Sequence, residues 1–222
     1  MAISAAQVKE LRQRTGCGMM ECKNALVEAG GDMEAAAEAL RKSGLAKADK
    51  KAGRVAAEGV VVVEITDDAK TAVMVEVNSE TDFVAKKDEF QNFARAVAAR
   101  VMNDAPADLP ALLAMPLADN GASIEEARRG LVATIGENIN VRRFVRREAS
   151  AGSLSSYLHG WRIGVLVEVQ GGDAELARDI AMHIAASNPL GIQPDDIPEE
   201  LVNRERDIYR AQALEMGKPE KV

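Results

Sequence analysis

Apolar positions along the chain change period twice, and each change marks a different kind of element. Up to residue 44 they recur at three and four, the spacing of one helix face. Ser4 with Gln7 makes a capping box ahead of Val8 and Leu11, and that stripe ends at Thr15-Gly16. A second helix follows Gly18, with Met19, Cys22, Ala25 and Leu26 on one side up to Gly30-Gly31. Asp32 caps a third, which turns Met33, Ala36, Ala37 and Leu40 inward and closes at Gly44. A bundle with so few large side chains is marginal alone. Residues 45–54 carry Lys47, Lys50, Lys51 and Arg54 without an aromatic, and read as a mobile basic linker after which a new module begins.

From Gly59 the period becomes that of strands. Residues 60–65, a polar turn at Thr66-Asp67-Asp68 and residues 71–78 read as a β-hairpin rich in β-branched side chains. Phe90, Phe93, Ala94, Val97 and Val101 then fall on one helical stripe, suited to covering a face of that hairpin. After a stretch punctuated by Pro110 and Pro116, Ser123 and Glu126 make another capping box. The helix it opens carries Ile124, Ala127, Leu131 and Ile135 and leads to a strand beginning near Ile139.

The second half repeats the first in miniature. Val73-Met74-Val75-Glu76-Val77 matches Val165-Leu166-Val167-Glu168-Val169, and residues 93–98 resemble residues 176–181. The two copies differ between strand and helix. Gly171-Gly172-Asp173 makes a minimal turn in the second, whereas Asn78-Ser79-Glu80-Thr81-Asp82-Phe83-Val84 extends the connection in the first. A loop insertion on a repeated scaffold is where function concentrates. Beyond Pro189, Pro194 and Pro198, a charged helix begins near Glu199, with Leu201, Ile208 and Tyr209 on a thin apolar stripe, and stops at Gly217-Lys218-Pro219. Such a helix usually packs on a partner helix.

Composition narrows the function classes. The 222 residues are 47% hydrophobic but only 3% aromatic, so the core rests on Val, Ile, Leu, Met and Ala. A net charge of −7 argues against direct nucleic-acid or anionic-membrane binding, both of which reward positive charge. No apolar run approaches the roughly 20 residues of a membrane helix, and no basic start with an apolar run marks a secretory signal, so cytoplasmic localisation is expected. Cys17 and Cys22 have no histidine at zinc-ligand spacing and read as reduced thiols; no cofactor and no metal are expected.

Catalytic signatures are sparse. Gly-x-Ser-x-Gly, His-Glu-x-x-His and a dinucleotide fingerprint are missing from the sequence, and Thr15-Gly16-Cys17-Gly18 lacks the Lys-Ser/Thr ending of a phosphate-binding loop. His183 reads as a helix-face histidine rather than a general base. Arg142, Arg143, Arg146 and Arg147 read as a solvated strand face, although arginine clusters can hold phosphate. Phe83 leaves two alternatives open: it folds under the helix beside Phe90, or it is an exposed aromatic anchor, able to contribute roughly 2 kcal/mol or more in a partner's pocket.

Two long segments carry a resemblance. Residues 11–26, Leu-Arg-Gln-Arg-Thr-Gly-Cys-Gly-Met-Met-Glu-Cys-Lys-Asn-Ala-Leu, and residues 76–86, Glu-Val-Asn-Ser-Glu-Thr-Asp-Phe-Val-Ala-Lys, are similar to the two signature motifs of bacterial elongation factor Ts. Shorter matches follow in order at residues 135–140, 162–166 and 182–187. The resemblance implies an α+β fold: a three-helix ubiquitin-associated-like domain with basic linker (1–54), a core of two related subdomains (55–148, and 149–188, incomplete), and the first arm of a protruding helical hairpin (189–222). It also implies that the returning arm and closing strands lie outside this sequence.

In function, the resemblance implies a guanine-nucleotide exchange factor for the GTPase elongation factor Tu, without covalent chemistry, in a heterodimer or a 2:2 assembly. Thr81, Asp82, Phe83 and Val84 would enter the GTPase and dislocate its magnesium. Ile163, Gly164 and His183 would support that contact, and Arg12, Met19, Met20 and Lys23 would touch the nucleotide-binding domain. The competing class is an adaptor that uses the three-helix domain alone, since a fold by itself does not fix function. An adaptor has no use for Thr81-Asp82-Phe83 on a distant loop.

Overall fold

A computed structural model describes residues 3–119 and 121–217. The chain is α+β, and it divides between Met182 and His183 into two units, taken separately below.

In the first unit, helices α1 (Ala5–Thr15), α2 (Met19–Glu28) and α3 (Met33–Lys51) bury Val8, Leu11, Cys22, Ala25, Leu26, Ala36 and Leu40 in a small core of their own. The Ser4–Gln7 capping box opens α1, and Gly16 closes it in the left-handed region at φ 69°. Two expectations need correcting. Met19 does not join the core but stands 51% exposed, because α2 packs along the face that carries Cys22, Ala25 and Leu26. Gly44 does not stop the helix, and residues 45–51 of the expected mobile linker continue it as the last turns of α3.

The reason is helix packing. A Cβ on Gly44 would lie 2.9 Å from the Cβ of Ala133 in helix α7 (Ile124–Ile135), so the glycine allows α3 to approach α7 closely instead of ending it. The basic residues of the supposed linker then serve as ties. Lys51 Nζ donates to the Gly136 carbonyl at 2.6 Å, and Asp49 pairs with Arg129 at 2.6 Å. Ala48 is buried in the main core.

That core lies between a sheet and its helices. Strands β1 (Glu58–Ile65), β2 (Thr71–Ser79) and β3 (Ile139–Glu148) form an antiparallel sheet in the order β1-β2-β3. Helix α5 (Asp88–Asp104) lays the expected stripe on it, with Phe90, Phe93, Ala94, Val97 and Val101 all buried against Val60, Val73, Val75 and Val77. Two short helices escaped the periodicity. One is α4 (Asp82–Ala85), inside the insertion; the other is α6 (Leu109–Ala114), where Asp108 caps the start and Pro110 sits in the first turn, the place a helix tolerates it. The Ser123–Glu126 capping box opens α7 as expected.

A second hairpin, β4 (Ser153–His159) with β5 (Ile163–Val169), docks on the first: Val61 N–H donates to the Trp161 carbonyl at 2.8 Å, and Leu154 N–H to that of Ala69 at 2.9 Å. Helix α8 (Ala174–Ser187) follows β5 directly, whereas α4 stands between β2 and α5. In the second unit, a short 3-10 turn at Pro194–Asp196 precedes α9 (Glu199–Glu215), none of whose residues is buried. The expected stop at Gly217-Lys218-Pro219 lies, beyond Gly217, outside the described residues.

Candidate functional site

The insertion in the first unit folds into a short stem that exposes one ring. Strand β2 ends at Ser79, Thr81 adopts the extended conformation of an N-cap, and one helical turn follows before α5 begins. Val84 and Ala85 face the core and are buried, so the turn is anchored from beneath. Phe83, between Asp82 and Val84, is turned the other way and is 76% exposed. Phe90, not Phe83, takes the buried aromatic place under the helix, so Phe83 does not fold back beside it.

The stem is fixed from several sides. Thr81 has no side-chain cap of its own. Glu137, on the connection from α7 to β3, supplies one from outside: it accepts from Thr81 N–H at 3.0 Å and from Thr81 Oγ1 at 2.8 Å. Next to it, buried Asn138 donates its backbone N–H to Glu80 at 2.6 Å and its amide to the carbonyls of Arg54 and Ala52 at 2.7 and 3.2 Å. With Lys51 bonded to Gly136, the segment 136–138 ties the end of α3 to the base of the Phe83 stem. At the far end of the turn, Asp82 accepts from Lys86 at 2.6 Å, and this hydrogen bond holds the Asp82 carboxyl below its ordinary value.

Lys86 in turn lies under two rings. Its Nζ is 5.9 Å from the centroid of Phe83 and 5.7 Å from that of Trp161, within cation–π range of both. Trp161 sits in the tight connection between β4 and β5, two residues before Ile163, and both are partly exposed, at 40% and 44%. Gly164 faces the other way. A Cβ there would meet Val61 Cγ1 at 2.7 Å, so the glycine lets β5 close on the first hairpin.

The remaining candidates are spread more widely. Arg12, Met19, Met20 and Lys23 are all exposed on α1 and α2 of the helical bundle. His183 is exposed on α8, at the start of the second unit. Each of the four arginines in β3 is partly or fully exposed; Arg142 and Arg143 pair with Glu76, and Arg146 with Glu148. Among the described residues no cluster of His, Cys, Asp and Glu could hold a metal ion, and no helix is long and apolar enough to cross a membrane.

Sequence reasoning missed Glu137, Lys86 and Trp161 as neighbours of the Phe83 stem. A signal existed for each. Glu137 lies within a matched segment, Lys86 is one turn beyond Asp82, and Trp161 is the single tryptophan of an aromatic-poor chain.

The family model for elongation factor TS matches residues 80–222. The chain is 60% identical over 223 residues to the elongation factor Ts of Thioalkalivibrio sulfidiphilus, covering 100% of this chain and 75% of that relative. It is 56% identical over 218 residues to the protein of the same name from Xanthomonas campestris pv. campestris (98% and 73%), and 52% identical over 221 residues to that from Arthrospira platensis (100% and 89%). With a family model over most of its length and such relatives along all of it, the chain belongs to the elongation factor Ts family.

Proposed function

We propose that this chain is a guanine-nucleotide exchange factor for elongation factor Tu in translation elongation, and that it acts by binding, without covalent chemistry. The observation that carries the reading is an exposed phenylalanine on a stem whose every other side is held: Val84 in the core, Thr81 by Glu137, Asp82 by Lys86. A ring presented in this way loses little conformational freedom on entering a partner's pocket, which is what makes aromatic anchors effective.

The mechanism follows from charge. In a GTPase the magnesium ion bridges the nucleotide phosphates and is the largest local positive charge. Of the four residues assigned to this role, Val84 stays behind in the core as the anchor; Phe83, with Asp82 and Thr81 beside it, enters the GTPase and disturbs the magnesium site, the phosphates lose their compensation, and GDP leaves. Coupling of this kind is reciprocal: if the factor weakens GDP binding by some ratio, GDP weakens binding of the factor by the same ratio. Nucleotide-free Tu therefore holds the factor most tightly, and incoming GTP expels it. In this reading no group on the chain needs to donate or accept a proton.

Ile163, Gly164 and His183 are proposed to support the contact, and Arg12, Met19, Met20 and Lys23 to meet the nucleotide-binding domain of Tu from the bundle. The domain layout is carried over with them: a ubiquitin-associated-like bundle, two related subdomains and a helical arm. The complex is a heterodimer or a 2:2 assembly in the cytoplasm, with no direct nucleic-acid contact. Stopped-flow release of fluorescent GDP from purified Tu tests the reading. The release rate should rise with the concentration of this chain and then saturate; a rate independent of that concentration would overturn it.

A further inference from the structure

We propose that Trp161 is a second aromatic anchor for the same GTPase, forming with Phe83 and Lys86 one two-ring docking surface in which Phe83 drives exchange and Trp161 sets affinity. The proposal rests on the exchange reading above. It starts from geometry within the first unit. Lys86 Nζ lies 5.9 Å from one ring centroid and 5.7 Å from the other, so a single cation bridges the two rings and makes their outer faces parts of one surface.

The Trp161 backbone is fixed while its side chain is not buried. Its carbonyl accepts from Val61 N–H at 2.8 Å, and the neighbouring Arg162 pairs with Glu58 at 2.8 Å, both on β1. The indole borders a cleft of about 410 Å³ lined by Val61, Val63, Gln91, Arg95 and Leu158, so it is not packed into the core. A pinned backbone under a half-exposed indole is the arrangement of an interface anchor, and tryptophan is the residue type most enriched among such anchors. Its occupant is fixed by continuity: any surface that receives Phe83 is brought within reach of a ring bridged to it through Lys86. Asp82 is already paired with Lys86, and the cleft lining adds Arg95 and Glu64, so the face that the two rings and Lys86 present is apolar and cationic and fits an apolar partner surface carrying an acidic group at its rim.

The two rings have different tasks because their supports differ. Phe83 projects from the stem, whereas Trp161 lies at the junction between hairpins and does not project beyond it as freely, being 40% exposed against 76%. Truncating Trp161 therefore removes contact area without removing the ring that disturbs the nucleotide site. In the GDP-release assay, Trp161→Ala should raise the concentration for half-maximal acceleration about tenfold and leave the saturating rate close to wild type, and Trp161→Phe should restore most of the loss. A Trp161→Ala titration that superposes on wild type overturns the proposal.

A second measurement needs no substitution. Trp161 is the only tryptophan, so the chain labelled with 5-fluorotryptophan gives one fluorine resonance. Saturating unlabelled Tu should shift that resonance; an unmoved resonance in a complex shown to have formed also overturns the proposal. Failure of the exchange reading looks different, since then the wild-type chain itself does not accelerate GDP release.

Discussion

Glu168 places one carboxylate oxygen against the connection between β3 and β4, where it accepts from Ala151 N–H at 2.9 Å, Gly152 N–H at 3.1 Å, and Ser150 N–H and Oγ at 2.8 and 2.9 Å. Hydrogen bonds from the Ala151 and Gly152 backbone, then from the Ser150 hydroxyl, lower its pKa from 4.5 to about 2. The sign follows directly. A carboxylate whose folded pKa is depressed stabilises the fold above its ordinary value, and that contribution is lost as the pH falls through the range from 4.5 to about 2. Glu168→Gln should therefore lower the thermal midpoint near neutrality, and the gap from wild type should close on acidification across that window; a gap independent of pH contradicts this. Gly44 makes a second residue-scale case. At an open helix position, Gly→Ala stabilises by up to about 1 kcal/mol. Here the added Cβ would meet Ala133 at 2.9 Å, so Gly44→Ala should give no gain and Gly44→Val should cost about 1–3 kcal/mol in urea unfolding.

Among the elements, those with a strong period were legible: the capping boxes at Ser4 and Ser123, the hairpin of β1 and β2, and the buried stripe of α5 all stand where the pattern put them. The elements missed are those whose logic is tertiary. Gly44 reads as a helix stop until α7 is known to lie against it, and a four-residue turn such as α4 has no period to detect. The candidate site divides in the same way. Phe83 could be singled out from an insertion between repeats, but the cap that holds its stem comes from Glu137, far away in sequence. Removing that cap should loosen α4 without unfolding the sheet, because Val84 and Ala85 remain in the core. In Glu137→Ala, amide hydrogen exchange at Thr81 should quicken by about tenfold or more, as expected for loss of a hydrogen bond to a charged group, and the saturating GDP-release rate should fall. Unchanged exchange at Thr81 would show that the stem does not depend on Glu137.

For the whole first unit, the largest revision concerns how the helical bundle joins the sheet core. The Lys- and Asp-bearing turns beyond Gly44 suggested a free linker, yet they run as the last turns of α3 against α7, with Asp49, Lys51 and Asn138 tying both to the segment that holds the Phe83 stem. Charge-rich composition alone does not distinguish a solvated tether from an amphipathic helix end, since the distinction lies in what packs on it. Composition told more about the surface. In a chain with only 3% aromatic residues, two exposed rings flanking one lysine are a large share of the aromatic inventory, and they stand on a short helical turn and a hairpin connection, not in the core. The central claim is that the exposed Phe83 ring drives nucleotide release, and Phe83→Ala tests it most directly, because a side chain 76% exposed can be removed with little effect on the fold. With circular dichroism and thermal midpoint unchanged, saturating Phe83→Ala should release fluorescent GDP from Tu far more slowly than saturating wild type; acceleration equal to wild type would contradict the account.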